Sequence, residues 1–230
     1  MKYKILSIIA FLLFTSFSSL PSKNSVLKNY EIKVKKPLSK VEVIYFNLKS
    51  NSFAIPSFDS FSIALEGFYK FKEKGLFQKN LLTLIDFSQS SNSKRLWIID
   101  LDKDEVLLNT YVAHGRNTGD EFANEFSNKA ESFQSSLGFY ATAEIYKGKH
   151  GSSLKLDGLQ KGLNDNARER AVVMHGADYV SEKFIRNNKR LGRSLGCPAV
   201  PVELNNKIIS LIKDKSCLFI YHPSKINQFI

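Results

Sequence analysis

Only two cysteines occur in 230 residues, so at most one disulfide can form and the fold cannot rest on a dense disulfide framework. No CxxC pair and no HExxH segment is present, which removes the commonest zinc arrangements. Acidic side chains are scarce beside basic ones, 22 against 33, and the formal net charge is +11. Such a surplus attracts anionic partners, and cell-wall polymers, phospholipid surfaces and nucleic acid all qualify. Nucleic acid is disfavoured because no C2H2, RNP or helix-turn-helix pattern accompanies the charge. No internal repeat is visible, and the longest apolar run is too short to be assigned as a spanning helix.

What is present argues for a folded chain. An apolar fraction of 43% and an aromatic fraction of 12% suit a packed core, and the length suits one domain with a modest appendage. Residues 1–20 carry Lys2 and Lys4 ahead of an apolar stretch, the form of a secretory signal or an uncleaved anchor. No cysteine lies there, so a lipid-modified cysteine is excluded. Export to the periplasm or cell envelope is the expectation, with the membrane touched only through this segment. Residues 21–80 read as a linker and an N-terminal helical segment. A strand is expected at 41–48, and a helix at 60–74, capped by Asp59 or Ser57 and stopped by Gly75.

The remainder, 81–230, reads as many short strands with few helices. Strand-like runs fall at 81–87, 96–101, 106–114, 138–146, 154–159, 171–174 and 217–222, separated by turn clusters. A helix is expected at 203–213. The pattern predicts a mainly β fold with flanking helices, a sandwich or barrel. Residues 114–140 form a long irregular stretch, which in a compact domain points to function or disorder. Cys217 sits in an apolar, aromatic run and reads as a buried structural thiol.

The chemistry concentrates in residues 171–201, AVVMHGADYVSEKFIRNNKRLGRSLGCPAVP. His175 and Gly176 end an apolar run; Ser194, Leu195, Gly196 and Cys197 form a turn shortly after. A cysteine acts as a nucleophile through its thiolate, and a neighbouring imidazole is its commonest activator. Gly196 permits a tight turn with amide N–H groups near the sulfur, while Pro198 biases Cys197 to an extended backbone. Arg186, Lys189, Arg190 and Arg193 add positive charge, which lowers a thiol pKa. His150 lies in a Gly-rich turn and His222 at a strand end; neither belongs to a motif. Asp157, Asp165 and Asp178 are available near the histidine in sequence, and none is singled out.

The order His175-Gly176, Ser194, Gly196, Cys197, within MHGADYVS and GRSLGCPAVP, resembles the L,D-transpeptidase catalytic domain family of YkuD type, in its murein L,D-transpeptidase branch. SSLGFY at 135–140 resembles the family's TPxGxF stretch. The resemblance covers about 81–223 and implies a YkuD-type β-sandwich or barrel-like catalytic domain over 81–230. It implies Cys197 as nucleophile, His175 as base, and Gly196 and Ser194 completing the catalytic turn. A backbone carbonyl is then expected to orient the imidazole. The family's arginine two residues after the cysteine is replaced by Ala199. Arg193 or Arg190 is therefore expected to orient substrate, with Gly176, His114 and Arg116 as further substrate contacts. The implied reaction is acyl transfer on peptidoglycan stem peptides, without metal or organic cofactor. Hydrolysis of the same thioester by an L,D-carboxypeptidase, or wall binding without turnover, are the alternatives.

Overall fold

The computed structural model describes residues 37–148 and 151–229, and residues 38–230 belong to one compact unit. The signal or anchor at 1–20, the first part of the expected linker up to residue 36, and His150 lie outside the described residues. Two helices come first, α1 (Lys40–Asn47) and α2 (Phe58–Glu73). They are followed by β1 (Leu81–Asp86), β2 (Leu96–Asp100), β3 (Glu105–Thr110), β4 (Gly138–Gly148), β5 (Gly151–Gly158) and β6 (Val173–Gly176). The remaining elements are α3 (Glu182–Asn188), β7 (Ala199–Val200), α4 (Val202–Ile212), β8 (Cys217–Tyr221) and a terminal 3₁₀ turn, Pro223–Gln228.

The strands form one mixed sheet in the order β3-β2-β1-β8-β4-β5-β6-β7. Pairs β1–β8 and β6–β7 are parallel, the others antiparallel. Past β3 the chain reaches Ala113, which exchanges both backbone hydrogen bonds with Ala199 of β7, at 2.8 and 3.3 Å. That bridge ties the segment after one edge strand to the other edge strand, and the sheet becomes a nearly closed, barrel-like wall with little open edge left. The expected mainly β class with flanking helices is the architecture found.

Residues buried on both faces read as continuous apolar runs. In β8 all five residues are buried, and in β1 all but the first. Against them lies α2, whose Phe61, Leu65, Phe68 and Phe71 are all buried. Ser57 is the cap, its side chain accepting from the Ser60 N–H, and Gly75 follows at φ +73°, so the helix ends as the sequence indicates. Phe139 of β4 stacks on Phe219 of β8 with ring centroids 4.1 Å apart, and Phe71 lies 5.2 Å from Phe139. In β4 the first half is buried and the second exposed, so the β4–β5 hairpin projects beyond the barrel.

Four differences from the sequence reading have local causes. Residues 41–48 form helix α1, not a strand, because Ser39 and Glu42 make a reciprocal capping box: Glu42 N–H donates to Ser39 Oγ at 3.2 Å and Ser39 N–H to Glu42 Oε2 at 2.7 Å. The strand expected at 171–174 is shifted to Val173–Gly176, since Ala171 has φ +52° and ends a turn. His175 therefore sits inside the strand instead of at its end. The strand at 106–114 stops at Thr110, and the extra helix α3 is capped by Ser181, which accepts from Phe184 N–H at 3.2 Å.

Candidate active site

His175 stands in the middle of the short strand β6 and is 4% exposed. Its Nδ1 lies 3.0 Å from the carbonyl of Gly176. A carbonyl only accepts, so Nδ1 carries the proton and Nε2 is the basic nitrogen. The orienting group is thus a main-chain oxygen, while Asp157 pairs with Arg168 and Asp165 accepts from Asn128. Gly176 turns towards α4: a Cβ there would lie 3.1 Å from that of Asn205.

Cys197 is part-exposed and unpaired. Parallel register sets His175 opposite Ala199, which carries Cys197 alongside Val173 at the same strand edge. The Val173 N–H points at Sγ from 3.4 Å, and Sγ lies 3.8 Å from the Ala171 carbonyl. Strand alternation puts Val173 and His175 on one face of β6. Across the sheet, Tyr146, Ser153 and His175 fall in one cross-strand row.

The turn around Cys197 is braced from within and without. Ser194 Oγ donates to the Cys197 carbonyl at 2.6 Å and accepts from Gly196 N–H at 3.0 Å. Gly196 has φ +124°, a conformation side chains rarely adopt, and a Cβ there would meet the Gln134 carbonyl at 2.9 Å. Its own carbonyl accepts from Ser135 Oγ at 3.2 Å, while Ser135 Oγ also accepts from Gly115 N–H. Ser194 N–H donates to His114 O, and Arg116 N–H to Ser194 O. The irregular 114–140 stretch thus packs directly against the cysteine turn, and its Ser135 is part of the bracing.

The basic residues expected as substrate contacts are mostly engaged within the protein. Arg193 Nη1 donates to Asp120 Oδ1 at 2.6 Å and to the carbonyls of Gly119 and Arg116. Arg190 lies 3.9 Å from Asp120 and donates to Leu191 O. His114 is 1% exposed, with Nδ1 2.8 Å from Arg95 Nη2 and Nε2 3.2 Å from Gly119 O, so neither nitrogen is left for a ligand. Arg116 differs: it is exposed, its guanidinium lying 4.1 Å from the Phe133 ring centroid. Ala199 is fully buried at the barrel seam, where an arginine would have no room. His222 caps the terminal 3₁₀ turn through Ser224.

Burial pushes the Cys197 thiol above its ordinary value, opposed by the Val173 N–H and by the positive charge of Arg170. The cation acting on the sulfur is thus not one of the expected basic residues 186–193 but Arg170, five residues before His175. Its contacts reach an irregular loop distant in sequence, so only its place at the head of the histidine strand hinted at it. Tyr179 and Tyr140 also feel the sulfur; burial raises both phenols to about 12. Cys217 is fully buried in β8, and burial raises its thiol well above the ordinary range.

A cavity of about 250 Å³ abuts this edge of β6, lined by Tyr146, Lys155, Leu156, Arg168 and residues 171–173. Its wall includes the two residues that touch Sγ, and Tyr146 and Lys155 come from the projecting hairpin.

A sequence model described as L,D-transpeptidase catalytic domain matches residues 54–221, a span that takes in α2. No curated protein matches the chain. Among solved structures, an L,D-transpeptidase from Mycobacterium smegmatis is similar at 10% identity and TM-score 0.38, with 62% of this chain and 59% of that one covered. The helical cell shape determining protein Pgp2 from Campylobacter jejuni is similar at 14% identity and TM-score 0.39, over 66% and 55%. An Enterococcus faecium L,D-transpeptidase gives 11% identity and TM-score 0.37, over 62% and 50%. The chain therefore spans between half and three fifths of the length of these structures.

Proposed function

Because this chain belongs to the L,D-transpeptidase catalytic domain family, we propose that it performs cysteine-dependent acyl transfer on peptidoglycan stem peptides. The observation that carries this reading is that Cys197 Sγ lies against the strand that holds His175, 3.4 Å from the Val173 N–H, with the imidazole Nδ1 held by the Gly176 carbonyl so that Nε2 is the basic nitrogen.

Nε2 of His175 takes the Cys197 proton, and the thiolate attacks the carbonyl carbon of a diamino-acid residue in the stem. The tetrahedral oxyanion collapses, the bond to the terminal D-amino acid breaks, and its amine leaves with the proton held by His175. A thioester remains on Cys197. The amine of a second stem, deprotonated by His175, then attacks it to give a cross-link and the free thiol; water in the same place gives trimming instead. Gly196 N–H is spent on Ser194 Oγ, so the Cys197 N–H is the turn's amide for the oxyanion, and one such donor is worth about 3 kcal/mol of transition-state stabilisation.

Arg116 is the candidate for a stem carboxylate, since its guanidinium is exposed on the loop that touches Gly196. Arg190, Arg193 and His114 hold that loop in place. The cavity beside β6 receives the donor peptide. Export to the cell envelope, suggested by residues 1–20, would bring the protein to this substrate.

A carbapenem tests the reading, because a strained lactam acylates the same sulfur. Intact-mass spectrometry should show one adduct on the wild type and none on Cys197→Ala or His175→Ala. A folded wild type that stays unmodified at millimolar reagent sinks the reading. Defined muropeptides would then separate cross-linked from trimmed products by mass.

A further inference from the structure

The geometry points to Arg170 as the positioning residue of this site: its guanidinium ties the 127–136 loop to the cysteine turn and supplies the counter-charge for the Cys197 thiolate. The inference concerns the thiol itself and goes beyond the proposed acyl transfer.

Arg170 stands just ahead of β6 and is half-buried. Nη1 donates to the Ser127 carbonyl at 2.8 Å and to Ser136 Oγ at 3.2 Å. Nη2 donates to the Gln134 carbonyl at 2.6 Å and to Ser132 Oγ at 3.3 Å. Four N–H groups of one planar fork thus gather a segment that has no strand or helix of its own. The same fork lies under the turn: a Cβ on Gly196 would be 3.5 Å from Nη2 and 2.9 Å from the Gln134 carbonyl that Nη2 holds. Guanidinium, loop carbonyl and Gly196 are therefore in one stack, and a shift of any one moves the others. Ser135 pins the loop to the Gly196 carbonyl from the other side.

The charge has a second consequence. Among the described residues no carboxylate lies within ion-pair distance of Arg170, whereas Arg168, two residues earlier, is held by Glu144 and Asp157. The acids that face Arg170 are the Tyr140 phenol and the Cys197 thiol. Tyr140 is pushed to about 12 by burial, so at neutral pH its phenol keeps its proton and leaves the guanidinium charge to the thiol. The groups that bear on the thiol are Arg170, the Val173 N–H, the two phenols of Tyr140 and Tyr179, and His175 on the same strand face. A guanidinium keeps its proton across the working range even when burial lowers its pKa.

Iodoacetamide alkylation of the full chain, followed against pH with peptide mapping to assign Cys197, reads the charge directly and needs no transpeptidase activity. In Arg170→Gln the titration midpoint should rise by about one unit, slowing alkylation below it about tenfold. In Arg170→Lys the midpoint should stay near wild type, while amide hydrogen exchange across 127–136 speeds up because an ammonium cannot make the forked bonds. Ser132→Ala with Ser136→Ala keeps the arginine and should speed the same exchange with no change of midpoint, so the test survives an Arg170→Gln chain that fails to fold. A folded Arg170→Gln with the wild-type midpoint, or an Arg170→Lys whose midpoint rises as far, overturns the charge assignment. Unchanged exchange over 127–136 in Arg170→Lys overturns the tether. A wild type that alkylates as expected but resists the carbapenem would sink the proposed function and leave this inference standing.

Discussion

Arg95 and His114 meet in the interior through a single hydrogen bond, Nη2 to Nδ1 at 2.8 Å. Guanidinium only donates, so Nδ1 accepts and the ring proton sits on Nε2, facing the Gly119 carbonyl. Burial first, and the Arg95 charge second, lower the His114 pKa to about 3. In the unfolded chain it returns to about 6.5. Between those values the unfolded state binds a proton that the native state refuses, so stability is complete above pH 6.5 and is lost as pH falls towards 3. The slope from this group is about 1.4 kcal/mol per pH unit, or roughly 2 kcal/mol between pH 6.5 and 5. Urea unfolding at pH 7 and pH 5 should reveal it, and His114→Gln, though weaker at pH 7, should lose less on acidification. An identical pH dependence in the variant would remove His114 as the source. The serine, glycine and cysteine of the site turn are readable from sequence because each constrains its own few bonds. Arg170, Arg95 and the engagement of Arg190 and Arg193 by Asp120 are not, since each depends on a partner delivered by the closing of the barrel.

At the scale of elements the docking of α2 is decided by one missing methyl group. A Cβ at Gly67 would lie 2.0 Å from Cζ of Phe139, and that buried ring is hemmed in, stacked on Phe219 and in contact with Phe71. Alanine in a helix gains about 0.5 to 1 kcal/mol over glycine, whereas overpacking costs about 1 to 3 kcal/mol. The clash wins, and Gly67→Ala should lower the thermal midpoint by several degrees; a midpoint at or above wild type would mean that helix and sheet separate freely. The faces of α2 and α4 and the apolar runs of β1, β2 and β8 are legible because their burial repeats over several residues. Helix α1 was masked by its β-branched residues, although Ser39 and Glu42 carry the deciding capping box. Strand β7 has only two residues and exists because β6 and Ala113 flank it, a fact no local pattern contains.

For the whole molecule, the closure through Ala113 and Ala199 explains why the site lies where it does. The seam brings the segment after β3 against the segment before β7, so the 114–136 loops and the cysteine turn become neighbours only when the barrel shuts. That closure needs the wall behind it, and the wall needs α2. Phe61, Leu65, Phe68 and Phe71 are each buried against the sheet, and at about 1.5 to 3 kcal/mol apiece they contribute roughly 6 to 12 kcal/mol. A domain's net stability is only about 5 to 15 kcal/mol. A chain beginning at Leu38, the start of the compact unit, should therefore unfold as cooperatively as the full one. A chain beginning at Gly75, which keeps every strand and the His175–Cys197 pair but loses α2 together with α1, should show no cooperative transition and no protected amides in β1 or β8. Circular dichroism melts and hydrogen exchange of the two truncations decide the matter. Cooperative unfolding of the shorter chain near the full-length midpoint would make α1 and α2 an appendage, and would detach the integrity of the site from the helices that precede the sheet.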